Sequence, residues 1–270
     1  MSQLTVTPAA SQQTATPGVS HQTARLLTAG IVAGPLFLAV WALQAFTRHG
    51  FDPGRHPLSL LSLGQLGWIQ IANFVVTGAL LVACAVGLRH VLHRGRGGTW
   101  GPWLVGAFGA GLIVAGVFVT DAGAGFPSGA PAGAPKLSWH GALHEVGYLV
   151  ALVSWTAACL VFRGRFATLG QRGWARACVA TVAAFLVLSG WPDWNSLSIR
   201  IVIATAVQFG FLAAVAARRR RGFHRRPPRP ARSSEVDAPR TSLRMTSTTV
   251  GRDCRVRRVE WWNESGVPHP

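Results

Sequence analysis

The chain has 270 residues, of which 49% are hydrophobic and only 13% charged, with a formal net charge of +17. A soluble domain of this size carries roughly 25% charged residues, so the composition excludes an ordinary water-soluble fold and points to a membrane protein. More than half of the basic residues follow residue 217, so the net charge mostly describes a tail.

Residues 1–25 are Ser, Thr, Gln, Ala and Pro with few large apolar groups, which predicts a disordered lead. The polar lead is too long for a signal peptide, and the apolar run after it is long enough to span. Six apolar runs follow, near 26–46, 69–88, 103–120, 143–162, 174–191 and 199–217. Each has the length a helix needs to cross roughly 30 Å of hydrocarbon. The predicted fold is all-α: a six-transmembrane helix bundle over 26–217 with disordered tails. Gly78, Gly87, Gly106, Gly109, Gly111 and Gly116 lie inside runs, where small residues let membrane helices approach closely. Trp41, Trp68, Trp103, Trp139, Trp174, Trp191 and Trp194 lie near run ends, as an aromatic belt would. Cys84, Cys159 and Cys178 fall inside runs and Cys254 in the tail. Their spacing suits neither a disulfide framework nor a CxxC metal site, so they read as small buried hydrophobes.

The basic residues orient the bundle. Arg25, then Arg89, Arg94 and Arg96, then Arg163, Arg165, Arg172 and Arg176, then Arg218 to Arg221 flank one set of run ends. The opposite ends hold Arg48, Arg55, Lys136 and Arg200. The positive-inside rule puts both termini in the cytoplasm and the protein in the plasma membrane. Near-exclusive use of arginine with abundant Ala, Gly and Val fits a GC-rich bacterial genome. The 218–270 tail is Arg- and Pro-rich and reads as disordered, with attraction to anionic lipid and no specific nucleic-acid binding.

That topology gathers the acidic residues that precede the tail, Asp52, Asp121, Glu145 and Asp193, on the outer side with His56, His140 and His144. In SWHGALHE, residues 138–145, His140 and His144 are four apart and share one helix face. That spacing holds a metal ion between two imidazoles, with Asp121 as a third ligand or general base; zinc is the candidate cofactor. Glu145 points to another side of the helix and would serve a neighbouring site. The bland alternative makes all of these interfacial polar groups bonded to loops.

The stretch HPLSLLSLGQLGWIQIANF, residues 56–74, mixes leucine with polar groups. Gln70, Asn73 and Thr77 make one stripe on the second run, which should face the bundle. Ser59 and Ser62 sit one turn apart on a piece too short to span, read as an interfacial helix followed by a glycine-marked bend. They are the candidate nucleophiles, although no GxSxG elbow is present. His56, Gln70, Asn73 and Asp193 are the candidate walls of an outer pocket. PSGAPAGAP, residues 127–135, is a flexible outer spacer.

These strings, with WGPWLVGAFGAGLIVAG and GFPSGAP between the second run and SWHGALH, resemble the bacterial membrane family catalogued as domain of unknown function 998. The likeness covers roughly residues 25–217 and includes His56, Ser59, Ser62, Gln70, Asn73, Asp121, His140 and His144. It implies a multi-span membrane protein and no particular activity. In kind, a serine, an aspartate and an HxxxH pair are also similar to membrane hydrolases of the alkaline-ceramidase type. Six spans instead of seven, and an HxxxH opening the fourth, depart from that pattern. Two functions follow: an outer pocket binding a lipid, small ligand or partner, or a zinc-dependent hydrolase of a lipid-like substrate at the outer interface.

Overall fold

The computed structural model describes residues 21–92, 95–193 and 196–224. Most of the predicted lead, all of the tail beyond 224, Trp194 and Cys254 lie outside the described residues. Among the described residues, six helices are long and apolar enough to cross a membrane: α1 (His21–Thr47), α2 (Gly67–Val91), α3 (Arg96–Val117), α4 (Trp139–Thr168), α5 (Arg172–Gly190) and α6 (Leu197–His224). Hydrocarbon offers backbone groups no partner, and helices satisfy them within the segment.

Most helices outrun the apolar windows that predicted them, because a helix continues through the interface, where polar side chains meet water. The exceptions are the far ends of α3, which stops at Val117 and not 120, and of α5, which stops at Gly190 and not 191. α4 starts four residues earlier than its apolar run because Ser138 caps it, accepting a hydrogen bond from Gly141 N at 3.1 Å.

Neighbours in sequence pack as neighbours in space, and α6 returns to α1, so the helices close a ring. The α1–α2–α3–α4 run is the tight part. A Cβ on Gly109 would lie 2.6 Å from Gly78 O of α2, and one on Gly111 2.7 Å from Gly147 O of α4. Backbone therefore meets backbone on both sides of α3. α5 is looser. Its buried residues Cys178, Thr181 and Phe185 form a single stripe, with Trp174, Ala175 and Val182 partly buried against the core beside it. The core is aromatic and aliphatic, with Phe37, Phe74, Phe108, Trp155 and Phe209 at its centre. Cys84, Cys159 and Cys178 are free and buried, as small hydrophobes are.

The predicted stripe does face the bundle: Gln70, Asn73 and Thr77 are all buried. Its partner is Gln44 of α1, whose Nε2 donates to Gln70 Oε1 at 2.8 Å, while Asn73 Nδ2 donates to Phe37 O at 3.1 Å. Gln44 Oε1, Gln70 Nε2, Asn73 Oδ1 and Thr77 Oγ1 find no protein partner among the described residues. Replacing either glutamine by leucine removes the 2.8 Å bond and leaves the other amide with a longer contact of 3.3 Å, Gln70 to Asn73 Nδ2 or Gln44 to Val40 O, at an expected cost of about 1–2 kcal/mol. The double Gln44→Leu/Gln70→Leu change should cost less than the sum, as read by a double-mutant cycle of unfolding in detergent.

Trp68, Trp103, Trp139 and Trp191 are exposed at helix ends, as a belt requires. Trp41 differs. It is buried in a second cluster with Ala45, Phe51, Leu60, Leu61 and Phe126, which closes the bundle end that carries the 48–66 and 118–138 connections.

Candidate functional site

Two layers make up that end of the bundle. The upper layer is the pair of connections. The piece predicted as a short helix is a 3₁₀ helix, Leu58–Ser62, with Leu60, Leu61 and Ser62 buried, so its leucines pack on protein and not on lipid. The bend follows at Gly64, whose φ of 73° is left-handed backbone suited to glycine. Arg48 holds the turn from below, donating from Nη2 to Leu63 O at 2.6 Å and from Nη1 to Leu61 O at 3.2 Å.

His56 ties three segments. Its Nδ1 accepts from Asp52 N at 2.8 Å, which leaves Nε2–H to donate to Ala124 O at 3.0 Å. Its own carbonyl accepts from Ser198 Oγ of α6 at 2.6 Å. Its ring packs with Phe51 and Phe126. The 127–135 spacer folds back on its own start through Ala124 N to Gly133 O and Gly125 N to Pro131 O, at 3.0 and 2.9 Å.

Asp121, His140 and His144 do come together, and their geometry is one of reciprocal helix capping. The last carbonyls of a helix lack intrahelical donors. His144 Nδ1–H donates to Ala115 O at 2.7 Å and to Phe118 O at 3.1 Å, and His140 Nδ1–H donates to Val119 O at 2.8 Å. These bonds take up the carbonyls where α3 stops. In return, Asp121 accepts Ser138 N at 2.8 Å and Ser138 Oγ at 2.6 Å at the start of α4. A carboxylate at a helix N-terminus also meets the positive end of the helix dipole. His140 Nδ1 lies 3.8 Å from Asp121 Oδ1. Among the described residues no three His, Cys, Asp or Glu side chains are grouped as they would be around a metal ion.

The two hydrogen bonds from Ser138, the hydroxyl first and the amide second, hold the Asp121 carboxyl below the usual carboxylate range, with the nearby His140 adding to the effect. A depressed folded-state value means that the stabilisation is complete above the unfolded carboxylate pKa of about 4 and is lost as pH falls through the lower folded value. The thermal midpoint should therefore fall as pH drops below about 4, and Asp121→Asn should flatten that slope.

Asp193 sits in the α5–α6 connection, accepting from Ser196 Oγ at 2.5 Å. Arg200 donates to Leu188 O at 3.0 Å and Trp191 O at 2.8 Å and so caps α5. Ser62 Oγ donates to Ser59 O. Among the described residues neither Ser59 nor Ser62 bonds a histidine or carboxylate through its hydroxyl.

Beneath this cap lies a cavity of about 220 Å³ in the middle of the helix ring. All six helices line it, and Pro57, Leu58 and Ser59 roof it. Most of its wall is apolar: Phe37, Phe74, Phe108, Leu112, Phe185 and Phe209. Its polar groups are Ser59, His144, Glu145, Tyr148, Thr205 and Gln208. Glu145 and Tyr148 are exposed while the phenylalanines are buried, so the mouth lies on the α4 side. Of the residues singled out by sequence as site candidates, Ser59 and His144 line this cavity. His56 belongs to the cap, Gln70 and Asn73 to the α1–α2 contact, Asp121 and His140 to the α3–α4 caps, and Asp193 to the α5–α6 connection. Tyr148, Thr205 and Gln208 were missed. Single polar residues inside apolar runs were the available signal.

A family model described as Protein of unknown function (DUF998) matches residues 31–219. Neither the curated proteins nor the solved structures contain a match.

Proposed function

The chain belongs to the DUF998 family, and from that premise we propose that it is a multi-pass membrane protein whose central cavity binds the apolar part of a lipid or small amphiphile. One observation carries this reading: a space of about 220 Å³, walled by phenylalanines, is roofed by a bonded cap and open on the α4 side. Ligand pockets are concave, mostly apolar, and carry a few polar groups that fix orientation. Ser59, His144, Thr205 and Gln208 are those groups here. The six helices supply the bilayer setting.

Native mass spectrometry of the detergent-purified protein tests the reading. Thr205 lines the cavity from α6 and is half-buried, so Thr205→Phe would fill much of the space. The wild type should retain a bound lipid or amphiphile, and Thr205→Phe should retain markedly less at unchanged helicity. Equal retention by both proteins would remove the basis of the proposal.

The cap end faces away from the cytoplasm in this reading. Arg89, Arg163, Arg165, Arg172, Arg176 and Arg218 to Arg221 crowd the opposite end, whereas Arg48 and Arg200 of the cap end are committed to backbone carbonyls. With Cys254 replaced by serine, a cysteine at Ser128 should react with an impermeant thiol reagent on intact cells, and one at Gly95 should not. The reverse pattern would invert the orientation.

A further inference from the structure

We propose that the cavity selects a lipophilic cation, an alkyl- or aryl-ammonium whose charge sits at Glu145 and whose apolar body enters the phenylalanine-lined space. The inference rests on the ligand-binding reading above and adds the ligand's charge.

Among the described residues, Glu145 is the only acidic one lining the cavity. Among the described residues no hydrogen bond or ion pair reaches its carboxylate. The other acidic side chains at this end are engaged: Asp52 Oδ1 accepts Gly54 N at 2.8 Å, Asp121 is held by Ser138, and Asp193 by Ser196. Of the cations at this end, Arg48 is committed to the 3₁₀ turn and Arg200 to the end of α5, while Arg55 and Lys136 stand exposed on the connections and do not line the cavity. An ionisable group in a membrane span carries a desolvation cost and marks a functional position unless it is paired.

Its depth suits an amphiphile. α4 has 30 residues, about 45 Å of helix against roughly 30 Å of hydrocarbon, so its first two turns stand near the interface. A charged head would rest there while its body lies deeper. Deeper in, Phe37, Phe74, Phe108, Phe185 and Phe209 present rings, with Tyr148 beside Glu145 at the mouth. Aromatic faces attract cations and repel anions, and quaternary ammonium groups are recognised in such surroundings. Among the described residues neither Lys nor Arg lines the cavity, so an anionic head finds no partner from them there.

Benzyltrimethylammonium and its neutral isostere neopentylbenzene differ by N⁺ for C at the branch point and so isolate the charge. Each would be equilibrated with protein in phosphatidylglycerol nanodiscs, and retention above empty discs measured by mass spectrometry. The wild type should retain the cation about tenfold over the isostere, and Glu145→Gln should remove that preference while leaving the isostere's retention unchanged. A cation preference that survives Glu145→Gln, or equal retention of both probes by the wild type, overturns the charge assignment and leaves the cavity reading standing. If neither probe is retained above empty discs, both readings fail. Repeating the assay in phosphatidylethanolamine discs separates the sources: competition there indicates a lipid amine in the same seat, and full retention a free cation; either result upholds the site.

Discussion

Gly141→Ala is expected to destabilise the membrane domain by about 2–4 kcal/mol, an unusually large effect for one methyl group. A Cβ at position 141 would collide with the Asp121 carboxylate, whose Oδ2 and Cγ occupy that space. The carboxylate cannot simply step aside, because both of its oxygens are bonded to Ser138. Moving it breaks two charge-assisted hydrogen bonds and removes the anion from the start of α4. The helix end and the loop before it are thus coupled through one side chain. A double-mutant cycle isolates that coupling. Asp121→Ala should be costly alone, since it strands the Ser138 amide. Gly141→Ala added to it should cost only a few tenths of a kcal/mol, because the space is then free and alanine favours the helix. Full additivity in detergent unfolding would show that Asp121 is not what glycine accommodates.

The second large effect is His56→Ala. The change removes an acceptor for Asp52 N, a donor to Ala124 O, and a buried ring packed on Phe51 and Phe126. The expected cost is about 2–4 kcal/mol, local to the cap. The helices are joined to one another independently of His56, so helicity should hold. The cap itself should open more often, and protease access follows the population of the open state. Trypsin cleavage after Arg55 and Lys136, both exposed, should accelerate about tenfold or more in the purified variant. Unchanged cleavage at both sites would mean that the connections hold their places without His56.

The bundle was legible because its signal is one-dimensional. Runs of about 20 apolar residues mark spans whatever their neighbours do. Helix ends were less legible, because they depend on partners far along the chain. α3 stops where His140 and His144, more than 20 residues later, take its carbonyls. Two histidines four apart fit a metal pair as well as interfacial groups bonded to loops, the commoner case, and spacing alone cannot separate the two. The observed bonds are to carbonyls, as the second reading describes. The Gln70–Asn73–Thr77 stripe was legible as inward-facing from its period, whereas its partner Gln44 was not, since no local pattern names the helix across the contact. The cavity was the least legible part. Its lining comes from six helices and a turn, between one and five residues from each, and the aromatic residues that wall it look in sequence like ordinary core.

The reciprocal caps between α3 and α4 also bear on biosynthesis. When α3 leaves the ribosome, its terminal carbonyls have no donor from the chain made so far, and Asp121 has no helix start to meet. Both needs are filled only when SWHGALH has followed. The α3–α4 hairpin is therefore the first unit in which both of these polar ends are closed. Passage from the translocon into lipid should occur with the two helices together, their glycine faces already in register.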